Sequence, residues 1–424
     1  MLRFWTSLAL LCATPLAHGA VDEVVQWNKT LLTIVRTAGA QPATVHPTRS
    51  FAIMHAAIYD AVNSIDATHE SYLVRIERVS PRASQEAAVA AAAHETLVAL
   101  YPAFQTELDQ QFEQSLAQIP DGADKIAGID VGTGVALATL ALRSDDGSAA
   151  TPIPYIFGDA PGDYQSTPPN FPKQPVFTHW SRVTPFALES ARQFRPGPPP
   201  ALTSAEYTAV FNEVKSLGMA NSTAASADQA LIGRFWNGAI QNYWNEIAQT
   251  AVLAHHLPSA QSARVFALLN LTFADEVIAF YDAKYTYNLW RPVTAIRAAA
   301  TDANPQTAAD PNWLPQAGKT AADPSYPGAH ATISAGGAFV LSALFGNKAF
   351  HLNVTSEVLP GIVRSFDSFA AVENEASLSR VYAGQHFRSD ENAGEGLGSA
   401  VAHFVVSNFL TRLPGADDGK GDAY

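Results

Sequence analysis

The 424-residue sequence contains a single cysteine, Cys12, and it lies within the first twenty positions. If that leader is removed, the remaining chain has no thiol. Disulfides, thiolate nucleophiles and cysteine metal sites are then all excluded. Cations are also scarce: 26 Lys and Arg stand against 39 Asp and Glu, a formal net charge of -13. Such a chain is a poor ligand for nucleic acid or for an anionic membrane surface. The scarcity makes any local gathering of Lys and Arg informative. Beyond the leader, the sequence reads as lacking an uninterrupted apolar run long enough to span a bilayer. The nearest is Ala331 to Phe345, which is short and interrupted by Gly336 and Gly337. It reads as a core helix, and no membrane insertion is expected.

What is present begins with a secretory pattern. Arg3 supplies a positive start, Leu8 to Leu16 an apolar stretch, and Ala17-His18-Gly19 a small-x-small site. Residues 1–19 are therefore expected to be a signal peptide and the protein to be secreted, or periplasmic in a bacterium. Sequons occur at Asn28, Asn221, Asn270 and Asn353. Asn270 sits inside Leu268-Leu269-Asn270-Leu271 and is expected to be too buried to carry a glycan.

The hydrophobic share of 47% and charged share of 15% suit a globular chain with a large core or two packed lobes. Alanine is abundant and β-branched runs are short, which favours helices. Apolar residues recur at i, i+3, i+4 and i+7 over Val24 to Ala38, Arg49 to Ile65 and Ser84 to Leu100. Helices are also expected over Gln105 to Gln118 and Asp124 to Arg143. From Thr151 to Pro200 the chain is crowded with proline, which locks φ and removes a donor, so a long irregular connection is expected. Helical patterning resumes at Ser204, a candidate N-cap. The fold class predicted is all-α. An N-terminal helical bundle (20–150) and a C-terminal bundle (204–414) are joined by a proline-rich connection (151–203), and a polar tail (415–424) follows.

Three segments of the C-terminal half carry chemistry. In Lys284-Tyr285-Thr286-Tyr287-Asn288-Leu289-Trp290-Arg291-Pro292 two cations are seven positions apart. On a helix they would leave roughly one face and clamp an anion, and Pro292 would end that helix. Alone, such a pair is more often a solvated basic face. The second segment, Pro324-Ser325-Tyr326-Pro327-Gly328-Ala329-His330, has small residues that admit a ligand close to the backbone. A helix starting near His330 would aim its free N–H groups at an anion. The third runs from Ser379 to Asp390. On one straight helix Arg380 and His386 would diverge by about 120°, so a break near Gly384 is needed for both to face one centre. His386 and Asp390, four apart, could share a helix face and give the imidazole a carboxylate neighbour.

In this order the three segments resemble the signature of the superfamily that joins vanadium-dependent haloperoxidases with type 2 phosphatidic acid phosphatases. That signature is Lys-x6-Arg-Pro, Pro-Ser-Gly-His and Ser-Arg-x5-His-x3-Asp. The first and third elements are intact here, and the second reads Pro327-Gly328-Ala329-His330. The resemblance extends to Ala52 to Asn63, to Gly162-Asp163-Tyr164 with Pro168-Pro169, and to Arg234-Phe235-Trp236, and points to the secreted or bacterial-type haloperoxidases. It implies vanadate as cofactor, with phosphate able to occupy the same site. His386 would bond to the metal or attack phosphorus. Lys284, Arg291 and Arg380 would neutralise the oxygens, and Gly328 and Ala329 would supply backbone amides. His330 would act as acid–base, and Asp390 would orient an imidazole. Vanadate shares phosphate's shape and charge, so one set of residues can serve both chemistries.

The reaction this implies is oxidation of halide by hydrogen peroxide. The alternatives are a soluble secreted phosphatase working through a phosphohistidine, or an inactive oxyanion-binding scaffold. The expected partners are small molecules: peroxide, halide and an organic acceptor, or a phosphate ester. The sequence leaves a homo-oligomer open. Two departures bear on halide chemistry. Gly328 replaces the family serine and removes one hydrogen bond to a charged group, typically worth ~1.5–3 kcal/mol. Asp323, five residues earlier, places a carboxylate where an aromatic residue or histidine is expected, and if ionised it would repel halide.

Overall fold

The structure is a computed structural model and describes residues 22–346 and 351–415. The expected signal peptide (1–19) and the tail beyond Gly415 lie outside the described residues. The all-α expectation holds: the described residues form helices and one small antiparallel hairpin, Leu352–Thr355 with Val363–Phe366.

The N-terminal helices are α1 (Glu23–Arg36), α2 (Thr48–Asp66), α3 (Gln85–Leu100), α4 (Gln105–Ala117) and α5 (Ala123–Leu142). The C-terminal ones are α6 (Ala205–Leu217), α7 (Ala227–Phe235), α8 (Ile240–Ala254), α9 (Ser259–Tyr287), α10 (Pro292–Ala298), α11 (Ala329–Phe345), α12 (Phe369–Tyr382) and α13 (Arg388–Asn408). Serines open several of them. Ser84, Ser204 and Ser368 each accept a hydrogen bond from a first-turn amide, and Ser226 forms a capping box with Gln229.

The long helix α9 is apolar on all sides and is buried accordingly, from Ala263 to Ala283 with few exceptions. It packs on α2 on one side and on α11 and α13 on the other. One hydrophobic core therefore runs from Val24 and Trp27 of α1 to Val401 and Val405 of α13. A smaller cluster, with Phe211, Trp290, Trp313 and Phe387, lies beneath the ends of α6, α10 and α13. Close helix approach relies on glycine. A Cβ added at Gly398 of α13 would overlap the Thr332 carbonyl oxygen and sit 2.9 Å from its carbon. Gly398→Ala is expected to destabilise the protein by about 1–3 kcal/mol, the usual cost of overpacking, read from the chemical denaturation midpoint.

By length and apolar composition α5 could cross a membrane, with a mean hydropathy of 1.4 over its best window. Asp124, Lys125 and Asp130 interrupt it, so the expected absence of an uninterrupted apolar run stands for this helix. In the structure Gly128 and Gly132 seat one side of α5 against the backbone of Ser84 and Ala88. The sequons divide evenly. Asn270 is buried as expected, and so is Asn28, whose Oδ1 meets His55 Nε2 at 2.9 Å. Asn221 and Asn353 are exposed.

The proline-rich stretch is irregular apart from one 3-10 turn, Trp180–Arg182. It follows α9 closely. Asp275 of α9 accepts the amides of Phe186, Ala187 and Leu188 at 2.6–2.7 Å. Arg195 grips Asp282 with two hydrogen bonds. At the far end Tyr164 N donates to Asn288 O and Trp290 N donates to Gly162 O. The segment is thus a strap bound along α9, ending beside Arg291.

Candidate active site

Lys284 lies in the last turn of α9, which ends at Asn288 in a left-handed conformation, φ 50°. Arg291 is not on that helix. It is the N-cap of α10, and Pro292 opens the new helix rather than closing the old one. Proline suits a first helical position, where its missing N–H has no intrahelical acceptor to lose. The two cations converge because the chain turns between them, not because they share a helical face.

Both are fully buried. Lys284 Nζ donates to Pro324 O at 2.6 Å and to Ser325 O at 3.2 Å, and stands 3.6 Å from the Asp323 carboxylate. Burial pulls its pKa down to about 8, with Asp323 acting in the opposite direction. Arg291 donates from Nε to the Asp323 carbonyl at 2.8 Å, from Nη1 to Gln385 O at 3.0 Å, and from Nη2 to Asp323 Oδ1. Asp323 is therefore the counterion of the clamp, where sequence reading placed it only as a neighbour of halide.

Arg380 ends α12, and Gly384, with φ 72°, makes the expected break. Its Nη1 donates to Asn237 Oδ1 at 3.2 Å, while its buried Nε has no partner. Burial lowers its pKa to about 10, against the pull of Glu391. His386 follows the break, just before α13. Arg291 Nη1 lies 2.9 Å from its Nε2. A guanidinium can only donate, so Nε2 carries the lone pair and the proton sits on Nδ1. Nδ1 faces Asp390 Oδ2 at 3.3 Å. Burial, then the charges of Arg291, Lys284 and Arg380, push the His386 pKa well below normal. The imidazole is held neutral with its Nε2 lone pair toward Arg291, the form a ligand or nucleophile requires.

Asp390 is the third residue of α13, so it does not share a helical face with His386. The contact arises from a capping arrangement. Asp390 Oδ2 also accepts Ser325 Oγ at 2.6 Å and Phe387 N at 3.1 Å. Burial raises its pKa to about 6, opposed by those two bonds. Asp390→Ala is expected to weaken oxyanion binding by roughly 10–100-fold, the usual cost of losing the group that orients a ligating histidine. Calorimetric titration with vanadate reads this.

His330 is the second residue of α11, at the predicted helix start. Its Nε2 lies 2.9 Å from Trp236 O, a pure acceptor, so Nε2 holds the proton and Nδ1 the lone pair. Burial and Arg380 lower its pKa well below normal. The backbone of Gly328 is not available as expected, because its N–H donates to Asp390 O at 2.8 Å. The first-turn amides of Ala329 and His330 have no partner among the described residues.

Three side chains at the site escaped sequence reading. Ser325 was visible only as part of a motif. Asn237 follows the noted Arg234-Phe235-Trp236 by one position, and only the fold shows that this loop wraps Arg380. Glu391 sits beside Asp390 in sequence and carries no signal of its own. It is 1% exposed and 3.6 Å from His386 Nδ1.

The constellation has an unpartnered guanidinium nitrogen, free helix-start amides and an imidazole lone pair, among three buried cations. These suit an oxyanion that can also accept a histidine bond. Residues 264–414 match the family described as the VCPO second helical-bundle domain. The chain is 25% identical to the vanadium chloroperoxidase of Curvularia inaequalis, over 90% of this chain and 82% of that one. A bacterial vanadium-dependent iodoperoxidase structure superposes with a TM-score of 0.77 at 26% identity, covering 94% of this chain and 97% of that one. The chain is similar to vanadium haloperoxidases over nearly its whole length. A holo-type bacterial vanadium-dependent chloroperoxidase has the same fold, with a TM-score of 0.66 at 14% identity over 92% of this chain and 96% of that one. These relatives are named as vanadium enzymes, and the Arg380 Nε, unpartnered among the described residues, and the His386 Nε2 fit vanadate as cofactor here.

Proposed function

We propose that this chain is a vanadate-dependent haloperoxidase, oxidising halide with hydrogen peroxide. The observation that carries the reading is the neutral His386, its Nε2 lone pair set against Arg291 while Asp390 faces Nδ1. Vanadate, when bound, supplies a Lewis-acidic centre that activates peroxide, so that halide, peroxide and one proton give hypohalous acid and water.

The residues divide the remaining work. His386 Nε2 would hold the metal, and Asp390 would fix the ring and its tautomer. Lys284, Arg291 and Arg380 neutralise the oxyanion with donors already in place, so little reorganisation is needed. The free amides of Ala329 and His330 add the positive end of α11. His330 Nδ1, the nitrogen not bonded to Trp236 O, would take up and return the proton that the peroxide reaction moves. Asp323 supports a second reading. With its carboxylate on two of the cations, it disfavours halide and leaves a phosphatase acting through His386 as runner-up.

Residues 1–19 are proposed as a signal peptide, giving a secreted or periplasmic enzyme. The bundles (20–150 and 204–414) and their proline-rich connection are proposed as its domains. One purified sample, divided, tests the reaction. Half receives vanadate, peroxide and bromide or iodide with a halogen-accepting dye; half receives an aryl phosphate without vanadate. Halogenation is expected in the first. Phosphate-ester turnover that vanadate inhibits, with no halogenation at any pH, would sink the haloperoxidase reading.

A further inference from the structure

Gly328 stands where the family pattern has a serine, and the structure shows what fills the space. A Cβ built on Gly328 would overlap Glu391 Oε1, with Glu391 Cδ at 2.7 Å and Oε2 at 2.9 Å. The carboxyl group of Glu391 thus lies where a side chain at 328 would be. Glu391 comes from the first turn of α13 and Gly328 from the N-cap of α11. Neither Glu391 oxygen has a hydrogen-bond partner among the described residues, although the side chain is buried. An unpartnered buried carboxyl is costly, and native proteins rarely keep one without a purpose. Its polar surroundings are those of the site: His386 Nδ1 at 3.6 Å, with Arg380 and Lys284 acting on it electrostatically.

We propose that Glu391 replaces the missing serine as the side-chain partner of the bound oxyanion. This rests on the oxyanion-site reading above. One proton is needed between the carboxyl group and the nearest oxyanion oxygen. Either side can carry it, since protonated vanadate and phosphate both bear O–H groups, so the bond does not depend on which partner donates. The proposal also explains why glycine is required. A serine at 328 and a glutamate at 391 claim the same volume, so each excludes the other.

The test is the binding of inorganic phosphate and of vanadate by isothermal titration calorimetry, with thermal unfolding alongside. Glu391→Ala is expected to weaken binding about tenfold, the scale of one hydrogen bond to a charged group. Glu391→Gln, which keeps shape and a donor, should stay within about threefold of the parent. Gly328→Ser alone should lower both affinity and melting temperature. Gly328→Ser combined with Glu391→Ala should recover most of the lost affinity. Unchanged or tighter binding in Glu391→Ala would overturn the proposal, as would a double variant that binds no better than Glu391→Ala. Should Glu391→Ala fail to fold, Glu391→Gln and the double variant decide. A parent protein that binds neither anion would overturn the oxyanion-site reading and this proposal together, whereas normal parent binding with an indifferent Glu391 overturns this proposal alone.

Discussion

Replacing His386 with alanine is expected to abolish halide oxidation, lowering turnover by roughly a thousandfold or more, since the lost group is the one proposed to hold the metal. The imidazole has no stand-in. Its Nε2 is the lone pair facing Arg291, and Asp390 faces Nδ1. The fold should tolerate the change, because a neutral ring is removed and Arg291 keeps Asp323 and the Gln385 carbonyl. Steady-state rates at saturating vanadate, beside circular dichroism of the same preparation, check both parts. Retained turnover in a folded His386→Ala protein would mean that the metal is held elsewhere.

Asp323→Asn should act in the opposite direction on anion binding. The carboxylate lies against Arg291 and near Lys284, cancelling part of the charge an oxyanion needs. With asparagine in its place, phosphate and vanadate are expected to bind about tenfold tighter or more. The same change leaves two buried cations without their counterion. Stability in anion-free buffer should therefore fall by roughly 3–5 kcal/mol, as when a buried ion pair loses one member. Phosphate should restore much of it, since a ligand present at a hundred times its Kd contributes about 2.7 kcal/mol. Thermal unfolding with and without phosphate measures this linkage. If neither affinity nor stability moves, Asp323 is not the counterion of the site.

The parts legible in sequence were those with a local cause. Helix positions followed from apolar spacing and serine caps, and the start of α11 at Ala329 followed from the small residues before it. The break at Gly384 was demanded by the angle between Arg380 and His386. The illegible parts depend on contacts between distant segments. The left-handed Asn288 and the new helix at Pro292 bring Lys284 and Arg291 together by a turn that spacing alone cannot distinguish from a continuous helix. Asp323 reads in sequence as a loop carboxylate, and its role appears only when the loop folds onto α9. Glu391 occupies the room left by Gly328, a relation across 63 positions with no local pattern. The strap could be foreseen as irregular from its prolines, but its path along Asp275 and Asp282 could not.

In the proposed function Lys284, Arg291, Arg380 and His386 form one oxyanion site that takes vanadate. Calorimetric titration of the intact protein with vanadate, repeated in saturating phosphate, tests it most directly. One vanadate per chain is expected, displaced by phosphate and lost in Arg380→Ala. Vanadate binding that phosphate does not displace, or that survives Arg380→Ala unchanged, would contradict it.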